Sequence, residues 1–288
     1  MNNVVIIGAG NLGTSLGYAL SRKGYTIRAL TCRSLSSVRK SRRIIRQGEA
    51  LTDNILAASR GKLIFICVPD NEIPSVGAEL ASSELEWKDR YVYHCSGLLP
   101  AALLDKLEEK GALTGTFHPA QSFSSRKADD KLFRGIFFAL EGNEKAVDRA
   151  CKIASELGGS PLVLRAEDKV LYHLACSLAS NFFVVLLDMA SSLLESAGIA
   201  PGQATSLLTP LVEGTLQNVK DFDIRGALTG PVVRGDTESV RSHLEALKKF
   251  PKLSELYRRL ALYALNITEE RKIPSKKIKA LRKLLEGK

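Results

Sequence analysis

Hydrophobic and polar positions follow two different periodicities along this chain of 288 residues. In the first part, continuous apolar runs at residues 4–7 and 63–68 predict buried parallel strands, and segments with helical spacing separate most of the strands. The other predicted strands lie at residues 26–31, 91–95, 113–117, 136–140 and 161–164. Because strands and helices alternate, we expect right-handed crossovers and an α/β fold with a mainly parallel sheet covered on both faces.

The second part, from about Glu167 onward, carries only helical patterns. Its first segment, residues 169–196, is unusually rich in Ala, Ser, Leu and Val. Further helices are predicted near residues 203–219, 237–249, 253–270 and 275–285. A change from an α/β to an all-α pattern marks a domain boundary, so we predict an α/β domain over residues 1–165 and an all-helical domain over residues 166–288.

The glycine-rich segment Gly8-Ala9-Gly10-Asn11-Leu12-Gly13 is the strongest chemical signal in the sequence. It directly follows the first predicted strand and opens the first helix, which is the context that a dinucleotide-binding loop requires. Gly8 permits a tight turn, Gly10 lets a pyrophosphate approach the backbone, and Gly13 lets the helix pack close to the strand. The segment therefore predicts a Rossmann-type cofactor site, against the alternative of a strand-to-helix turn without a ligand.

The end of the second strand predicts which dinucleotide binds. An NAD site usually has an Asp or Glu there for the ribose hydroxyls, whereas this chain reads Thr31-Cys32-Arg33-Ser34. Arg33 and Ser34 offer the guanidinium and hydroxyl donors that a 2′-phosphate needs. We therefore predict NADP(H) as the cofactor, and the alternative is that the basic residues form a solvated helix face.

Polar residues follow the later strands, at the edge where ligands of open α/β sheets bind. Cofactor and substrate contacts are predicted for Val68, Pro69, Ser96 and Gln121. His118 could donate a proton or hydrogen-bond a substrate carbonyl, and equally could fix a loop through backbone contacts. His94 is interpreted as structural and Asp70 as a helix cap.

The long helix carries a polar stripe, because Lys169, His173, Ser177 and Asn181 recur every four residues. In the functional interpretation this stripe faces the cofactor, with Lys169 or His173 as general acid, Asn181 orienting the substrate and Ser177 contacting it. In the alternative interpretation the stripe belongs to a dimer or interdomain surface.

Residues 229–236, Thr-Gly-Pro-Val-Val-Arg-Gly-Asp, join two predicted helices. Turn residues around a single arginine suit a loop that presents Arg234 to a substrate carboxylate or to another subunit. A structural turn, with Asp236 as the N-cap of the following helix, is the alternative.

The charge of the chain is strongly basic, with 41 Lys and Arg against 31 Asp and Glu and a formal net charge of +10. The excess is concentrated between Arg33 and Arg46 and in residues 271–288. No nucleic-acid-binding motif accompanies it, so a phosphate site and a solvated terminal helix explain the charge with fewer assumptions than nucleic-acid binding.

The remaining composition limits the class of protein. The five cysteines are scattered without a Cys-x-x-Cys pair, which predicts reduced thiols and a cytoplasmic location. No uninterrupted apolar run reaches the roughly 18 residues of a membrane span, so no membrane association is expected. No metal site is expected either.

Taken together, these segments resemble a two-domain arrangement in which a Rossmann-like domain precedes the all-α domain of unknown function 2520. The matching segments are Gly8–Gly13, Val68-Pro69-Asp70, His118-Pro119-x-Gln121-x-Phe123, Tyr172-His173 with Asn181, and residues 228–236. The chain is more distantly similar to pyrroline-5-carboxylate reductase, 6-phosphogluconate and hydroxyisobutyrate dehydrogenases, and ketopantoate reductase. This resemblance implies an NADP-linked reductase fold whose helical domain often builds a homodimer.

The resemblance also concerns one catalytic residue. In the hydroxyacid dehydrogenases and ketopantoate reductase, a catalytic lysine lies one turn before an asparagine on the first long helix. Lys169 matches that lysine, but the next-turn position holds His173.

These observations predict an NADP(H)-dependent oxidoreductase that transfers a hydride to or from a carbonyl or imine carbon of a small anionic metabolite. The competing hypothesis is a non-catalytic dimeric protein that senses NADP(H), motivated by the missing Lys-x-x-x-Asn pair.

Overall fold

The computed structural model describes residues 2–268 and 274–287. Contacts divide the chain into two compact units, with the division between Phe182 and Phe183. The predicted domain boundary near residue 165 stays a prediction. The end of the predicted helix 253–270 and the start of the basic run 271–288 lie outside the described residues, as does Lys288.

A sheet of eight strands forms the first unit, and the predicted α/β class with a following all-helical region is confirmed. The strands are β1 (Asn3–Ile7), β2 (Thr26–Thr31), β3 (Glu49–Leu51), β4 (Leu63–Ile66), β5 (Tyr91–His94), β6 (Leu113–Pro119), β7 (Phe137–Gly142) and β8 (Ser160–Val163). Their spatial order is β3-β2-β1-β4-β5-β6-β7-β8. All neighbours are parallel except β6 and β7, where Phe117 pairs with Leu140 in an antiparallel register.

Helices cover both faces of this sheet. Those that alternate with the strands are α1 (Asn11–Arg22), α2 (Leu35–Ile45), α3 (Asn54–Ser59), α4 (Ile73–Ala81), α5 (Asp105–Glu108) and α6 (Glu144–Glu156). Successive residues of β1 point to opposite faces, so Val4 and Ile6 belong to one buried cluster while Val5 and Ile7 belong to the other. A strand buried on both faces requires the continuous apolar run seen in the sequence.

The helices after the sheet are α7 (Lys169–Ala179), α8 (Asn181–Ser196), α9 (Pro201–Gly226), α10 (Pro231–Arg234), α11 (Thr237–Ala246), α12 (Pro251–Thr268) and α13 (Ser275–Glu286). The predicted single helix 169–196 is broken at Ser180, whose φ and ψ of −118° and −68° interrupt the helical path. In the second unit, a small core joins α11, α12 and α13 through Val240, Leu265 and Leu281. Asp236 caps α11 as predicted, accepting a hydrogen bond from the Ser239 backbone N–H at 3.1 Å.

Large apolar side chains are exposed along α7, α8 and α9. They are Val170, Leu171, Leu174, Leu178, Phe182, Val184, Val185, Leu186, Leu193, Leu207, Leu211, Leu216, Phe222 and Ile224. The stretch Ala166–Ser196 is long and apolar enough to cross a membrane by length and composition. The scattered polar residues interrupt the apolar run but do not lower its average hydropathy below this threshold. The expectation of no membrane association stays a prediction.

Candidate functional site

The glycine-rich loop opens a cavity of about 500 Å³ at the carboxyl ends of β1, β2 and β4. Gly8 and Gly10 line it, together with Val68 and Pro69 after β4. Gly10 is the N-cap of α1 and provides no side-chain cap for the helix. The first backbone N–H groups of α1 thus remain available for an anion, as a pyrophosphate site requires.

The three glycines differ in what surrounds them. Gly8 has a φ of +85°, and a Cβ there would lie 2.7 Å from the Val68 side chain. A Cβ on Gly13 would collide with the Gly8 carbonyl oxygen and lie 2.9 Å from Ile6 Cγ2. A Cβ on Gly10 would have no protein atom within 4 Å. Gly8 and Gly13 are therefore needed for packing, whereas Gly10 leaves open space that a ligand can fill.

The other two predicted residues of the loop, Asn11 and Leu12, contact neighbouring parts of the first unit. Asn11 donates a hydrogen bond from Nδ2 to the carbonyl oxygen of Phe123 at 3.1 Å. Leu12 packs against the main core cluster.

Basic and hydroxyl side chains line the part of the cavity next to β2. Arg33, Ser34 and Ser37 all contribute to its wall. Ser34 caps α2, because its Oγ accepts a hydrogen bond from the Ser37 N–H at 3.3 Å. The first turn of α2 has no acidic residue. Glu79, also in the wall, accepts a hydrogen bond from Asn54 at 2.8 Å. The groups at the α2 end of the cavity fit a 2′-phosphate.

A polar cluster, here defined as Asp70, Ser96, Thr116, His118, Lys169 and Tyr172, lies at the ends of β4, β5 and β6 and on α7. Ser96 Oγ donates a hydrogen bond to Asp70 Oδ2 at 2.8 Å. The interpretation of Asp70 as a helix cap was wrong, because the short 3₁₀ turn Asp70–Glu72 has no side-chain cap and the Asp70 carboxylate turns to the neighbouring strand end. Ser96 lies in this cluster and is absent from the cavity wall described above.

Lys169, the first residue of α7, is completely buried. Its Nζ donates to the Ser96 carbonyl oxygen at 3.4 Å and to Thr116 Oγ1 at 3.2 Å. Within the described part of the chain, no carboxylate forms an ion pair with it. Burial lowers the pKa of the Lys169 amine, and the more distant charges of Glu141 and Asp70 oppose this shift.

His118 and Tyr172 form a hydrogen-bonded pair between β6 and α7. The Nδ1 atom of His118 lies 2.9 Å from the Tyr172 hydroxyl oxygen, and the two rings meet edge to face. Burial, together with the positive charge of Lys169, lowers the pKa of His118 to about 4. Burial raises the pKa of the Tyr172 phenol. Both groups are therefore neutral at pH 7, and His118 acts as a neutral hydrogen-bonding group rather than an imidazolium acid.

His94 is buried and holds the backbone of the loop after β5. Its Nδ1 accepts a hydrogen bond from the Ser96 N–H at 3.3 Å, so the proton lies on Nε2, which donates to the Pro100 carbonyl oxygen at 3.0 Å. Burial lowers the pKa of His94 to about 4, which keeps the ring in this neutral form. These contacts agree with the structural interpretation of His94.

The remaining predicted site residues lie outside the polar cluster. His173 and Ser177 are half-buried on α7, and Asn181 is exposed at the first turn of α8. Gln121 is exposed, and its Oε1 accepts a hydrogen bond from the Ser122 N–H at 2.8 Å. Arg234 is an exposed residue of the second unit, at the end of α10. Their functional roles stay predictions.

Tyr172 and Arg126 are among the residues of the site to which the sequence analysis gave no role. Tyr172 lies three residues after Lys169, and this spacing places both on one helix face, which could have identified it. Arg126 lines the cavity from the loop after β6. Its position just beyond a strand's carboxyl end was a usable signal.

Two of the cysteines lie next to each other at the ends of neighbouring strands. Cys67 and Cys95 follow β4 and β5 with their Sγ atoms 3.5 Å apart, and both are free thiols. The hydrogen bond to Cys67 and burial raise the pKa of the Cys95 thiol, which disfavours a reactive thiolate. Among residues 2–268 and 274–287, no group of three or more His, Cys, Asp or Glu side chains is arranged to hold a metal ion.

Comparison with family models agrees with this architecture. Residues 2–119 match the model of the Rossmann-like domain, and residues 136–264 match DUF2520, a domain of unknown function. The chain combines a Rossmann-like domain with a DUF2520 domain. No curated protein matches the chain by sequence.

Solved structures resemble this Rossmann-like/DUF2520 protein over most of its length. A Bacteroides fragilis protein described as an NADP oxidoreductase is 26% identical with a TM-score of 0.76, covering 91% of this chain and 97% of its own. Two others share the fold at lower identity. Pyrroline-5-carboxylate reductase from Coxiella burnetii is 21% identical with a TM-score of 0.58, covering 93% and 98% of the two chains. A reductive aminase from Aspergillus terreus, solved with NADPH, is 15% identical with a TM-score of 0.61, covering 100% and 93%. These three structures are of oxidoreductases, and one of them was solved with NADPH.

Proposed function

We propose that this protein is an NADP(H)-dependent oxidoreductase acting on a carbonyl or imine carbon of a small anionic metabolite. The observation that carries the proposal is the continuity between the cavity and the polar cluster. Val68 and Pro69 line the cavity, and the next residue, Asp70, is hydrogen-bonded to Ser96 of the cluster. A cofactor held on one side of this junction would meet a substrate held on the other.

The cofactor would be held by the residues that shape the cavity. The N-terminus of α1 and the open space at Gly10 suit the pyrophosphate, while Arg33 and Ser34 suit the 2′-phosphate. When bound, NADP(H) supplies or accepts the hydride.

The polar cluster would provide the proton and orient the substrate. Lys169 is the general acid in this proposal, because burial lowers its pKa and its Nζ lies at the ends of β5 and β6. The His118 and Tyr172 pair would hydrogen-bond the substrate oxygen or nitrogen. His173 is the alternative acid, one turn after Lys169, and Asn181, Ser177 and Gln121 are candidate substrate contacts. The sequence-based hypothesis that Arg234 binds a substrate carboxylate stays a prediction.

A non-catalytic NADP(H) sensor is the second candidate function. The complete burial of Lys169 favours it, since an amine that is already bonded to two protein acceptors is less available to a substrate. A sensor would bind the dinucleotide without turning it over.

Titration and turnover separate these two functions. Nicotinamide fluorescence would be followed with NADPH and separately with NADH, and NADPH oxidation would then be screened with ketoacids and imines. We expect tight NADPH binding, weaker NADH binding, and turnover that falls at least about 100-fold in Lys169→Met. His173→Gln changes the residue one turn after Lys169 and is the variant with which Lys169→Met is compared. Binding without any turnover would favour the sensor, and binding of neither nucleotide would refute both.

We also propose a homodimer built through the exposed apolar helices, and a cytoplasmic location. Apolar patches of this size on a folded protein usually mark an interface. Asp188, in the middle of α8, is exposed and carries a charge that a membrane interior would disfavour. The neighbouring thiols of Cys67 and Cys95 fit a reducing compartment.

A further inference from the structure

We infer that Arg126 is a second arginine of the 2′-phosphate site and sets the preference for NADP(H) over NAD(H), an inference that rests on the proposed dinucleotide-binding function. The residue belongs to a loop, here called the strap and defined as residues 120–129, that connects β6 to the next 3₁₀ turn. Its side chain lines the same cavity as Arg33, Ser34 and Ser37.

Several contacts hold the strap against the cavity. The Ala120 N–H donates to the Phe137 carbonyl oxygen at 2.8 Å and closes the base of the strap. In its middle, Asn11 of the glycine-rich loop bonds the Phe123 carbonyl oxygen, and the Phe123 ring packs on Phe133 with centroids 5.5 Å apart. These contacts hold the part of the strap that precedes Arg126.

Arg126 reaches the phosphate-binding end of the cavity directly. Its Nη2 donates to Ser37 Oγ at 2.6 Å, a contact between residues 89 apart in sequence. Ser37 belongs to the first turn of α2, whose N-cap is Ser34. Because Ser37 Oγ accepts this bond, its own hydroxyl hydrogen remains available for a phosphate oxygen.

Two features of Arg126 suit it to bind an anion. Its Nε is buried, and among the described residues it has no hydrogen-bond partner. Across the same described ranges, neither Arg126 nor Arg33 forms an ion pair with a carboxylate. A buried donor without an acceptor is costly, and a phosphate oxygen would remove that cost while balancing both guanidinium charges.

A phosphate on the adenosine ribose is the group that discriminates the two cofactors, so the test compares ligands with and without it. Binding of 2′,5′-ADP, 5′-AMP, NADPH and NADH to the purified full chain would be measured by calorimetry. In Arg126→Ala we expect the affinity for 2′,5′-ADP and NADPH to fall about 10- to 100-fold, and that for 5′-AMP and NADH less than about threefold. Arg126→Lys should fall between wild type and Arg126→Ala, because it keeps the charge but loses the planar fork.

Lys127→Ala is the matched control, since it removes one positive charge from the exposed neighbouring position of the strap. It should leave all four affinities unchanged. An equal loss of NADPH and NADH affinity in both Arg126 variants would overturn the inference, as would no loss at all. If the wild-type protein prefers NADPH but the Arg126 variants give one of these two results, the role of Arg126 is refuted and the cofactor proposal stands. If wild type binds no dinucleotide or does not prefer NADPH, the cofactor proposal and this inference fail together.

Discussion

The imidazole Nδ1 of His118 lies 2.9 Å from the hydroxyl oxygen of Tyr172, which comes 54 residues later in the chain. This bond ties the end of β6 to the first turn of α7, where Lys169 is also held by Ser96 and Thr116. The neutral His118–Tyr172 pair and the buried Lys169 amine are therefore held together in one preorganised arrangement.

Removing the Tyr172 hydroxyl should weaken turnover without weakening cofactor binding. We expect Tyr172→Phe to lower kcat about 10- to 100-fold, because His118 loses the partner that orients its ring. The second unit offers a matched control, since His243 Nδ1 lies 2.9 Å from the Tyr257 hydroxyl in a similar edge-to-face pair. Equal turnover in Tyr172→Phe and Tyr257→Phe would contradict the assignment.

The buried His94 and the half-buried His118 should make the fold sensitive to mild acid. Their pKa is about 4 in the folded protein, against 6.5 as the ordinary value, so the unfolded chain binds more protons between these limits. The free energy of unfolding therefore falls as the pH drops from 7 to 5, by roughly 2 kcal/mol for each histidine.

Urea unfolding at pH 7 and pH 5 would measure this loss. His118→Asn should reduce the difference between the two pH values by roughly 2 kcal/mol. His243→Asn, which replaces an exposed histidine, provides the comparison. A pH dependence that survives unchanged in His118→Asn would show that His118 does not contribute to the acid sensitivity.

Gly10 and Gly13 should separate ligand binding from folding. Gly10→Ala adds a methyl group where no protein atom lies within 4 Å, so stability should be retained while affinity for NADPH falls about tenfold or more. Gly13→Ala meets the Gly8 carbonyl oxygen and Ile6, and should lower the free energy of unfolding by about 1–3 kcal/mol. Thermal melts and NADPH titrations of both variants would measure these two effects. If the loop does not bind the nucleotide, Gly10→Ala will leave the affinity for NADPH unchanged.

Charge placed on the apolar face of α7 should disrupt the proposed dimer. Leu171 and Leu178 are 70% and 57% exposed, and we expect Leu171→Glu with Leu178→Glu to give monomers in analytical ultracentrifugation. Leu56→Glu changes a similarly apolar residue on α3 that is 41% exposed, and should leave the dimer intact. A monomeric wild-type protein would refute this proposal, and flotation with liposomes would then test membrane association.

Local sequence patterns predicted most of the fold. Strand β1, the glycine-rich loop and α1 follow one another directly in the chain. Their order could therefore be predicted from one continuous stretch of sequence. The short elements β3 and α3 were missed, because three and six residues are too few for a periodicity to emerge. Strand direction was also hidden, since an apolar run such as that of β7 reads the same in parallel and antiparallel pairing.

The candidate site was harder to predict because its contacts are distant in sequence. Asp70 was taken for a cap, but its partner Ser96 lies 26 residues away. Lys169 was selected from helical spacing, whereas its burial against Thr116 depends on the packing of α7 on the strand ends. The position of Arg126 after β6 was a usable signal, but its contact with Ser37, 89 residues away in sequence, is visible only in the folded chain.

The antiparallel pairing of β7 with β6 has a consequence for how this protein can diversify. Because the chain reverses direction there, the connection between the two strands, which contains the strap and the following 3₁₀ turn, begins and ends at the same end of the sheet, with Ala120 and Phe137 joined at its base. A loop with neighbouring ends can gain or lose residues at little cost to the strands beneath it. Lineages could thus reshape one wall of the pocket through insertions and deletions while inheriting the sheet unchanged.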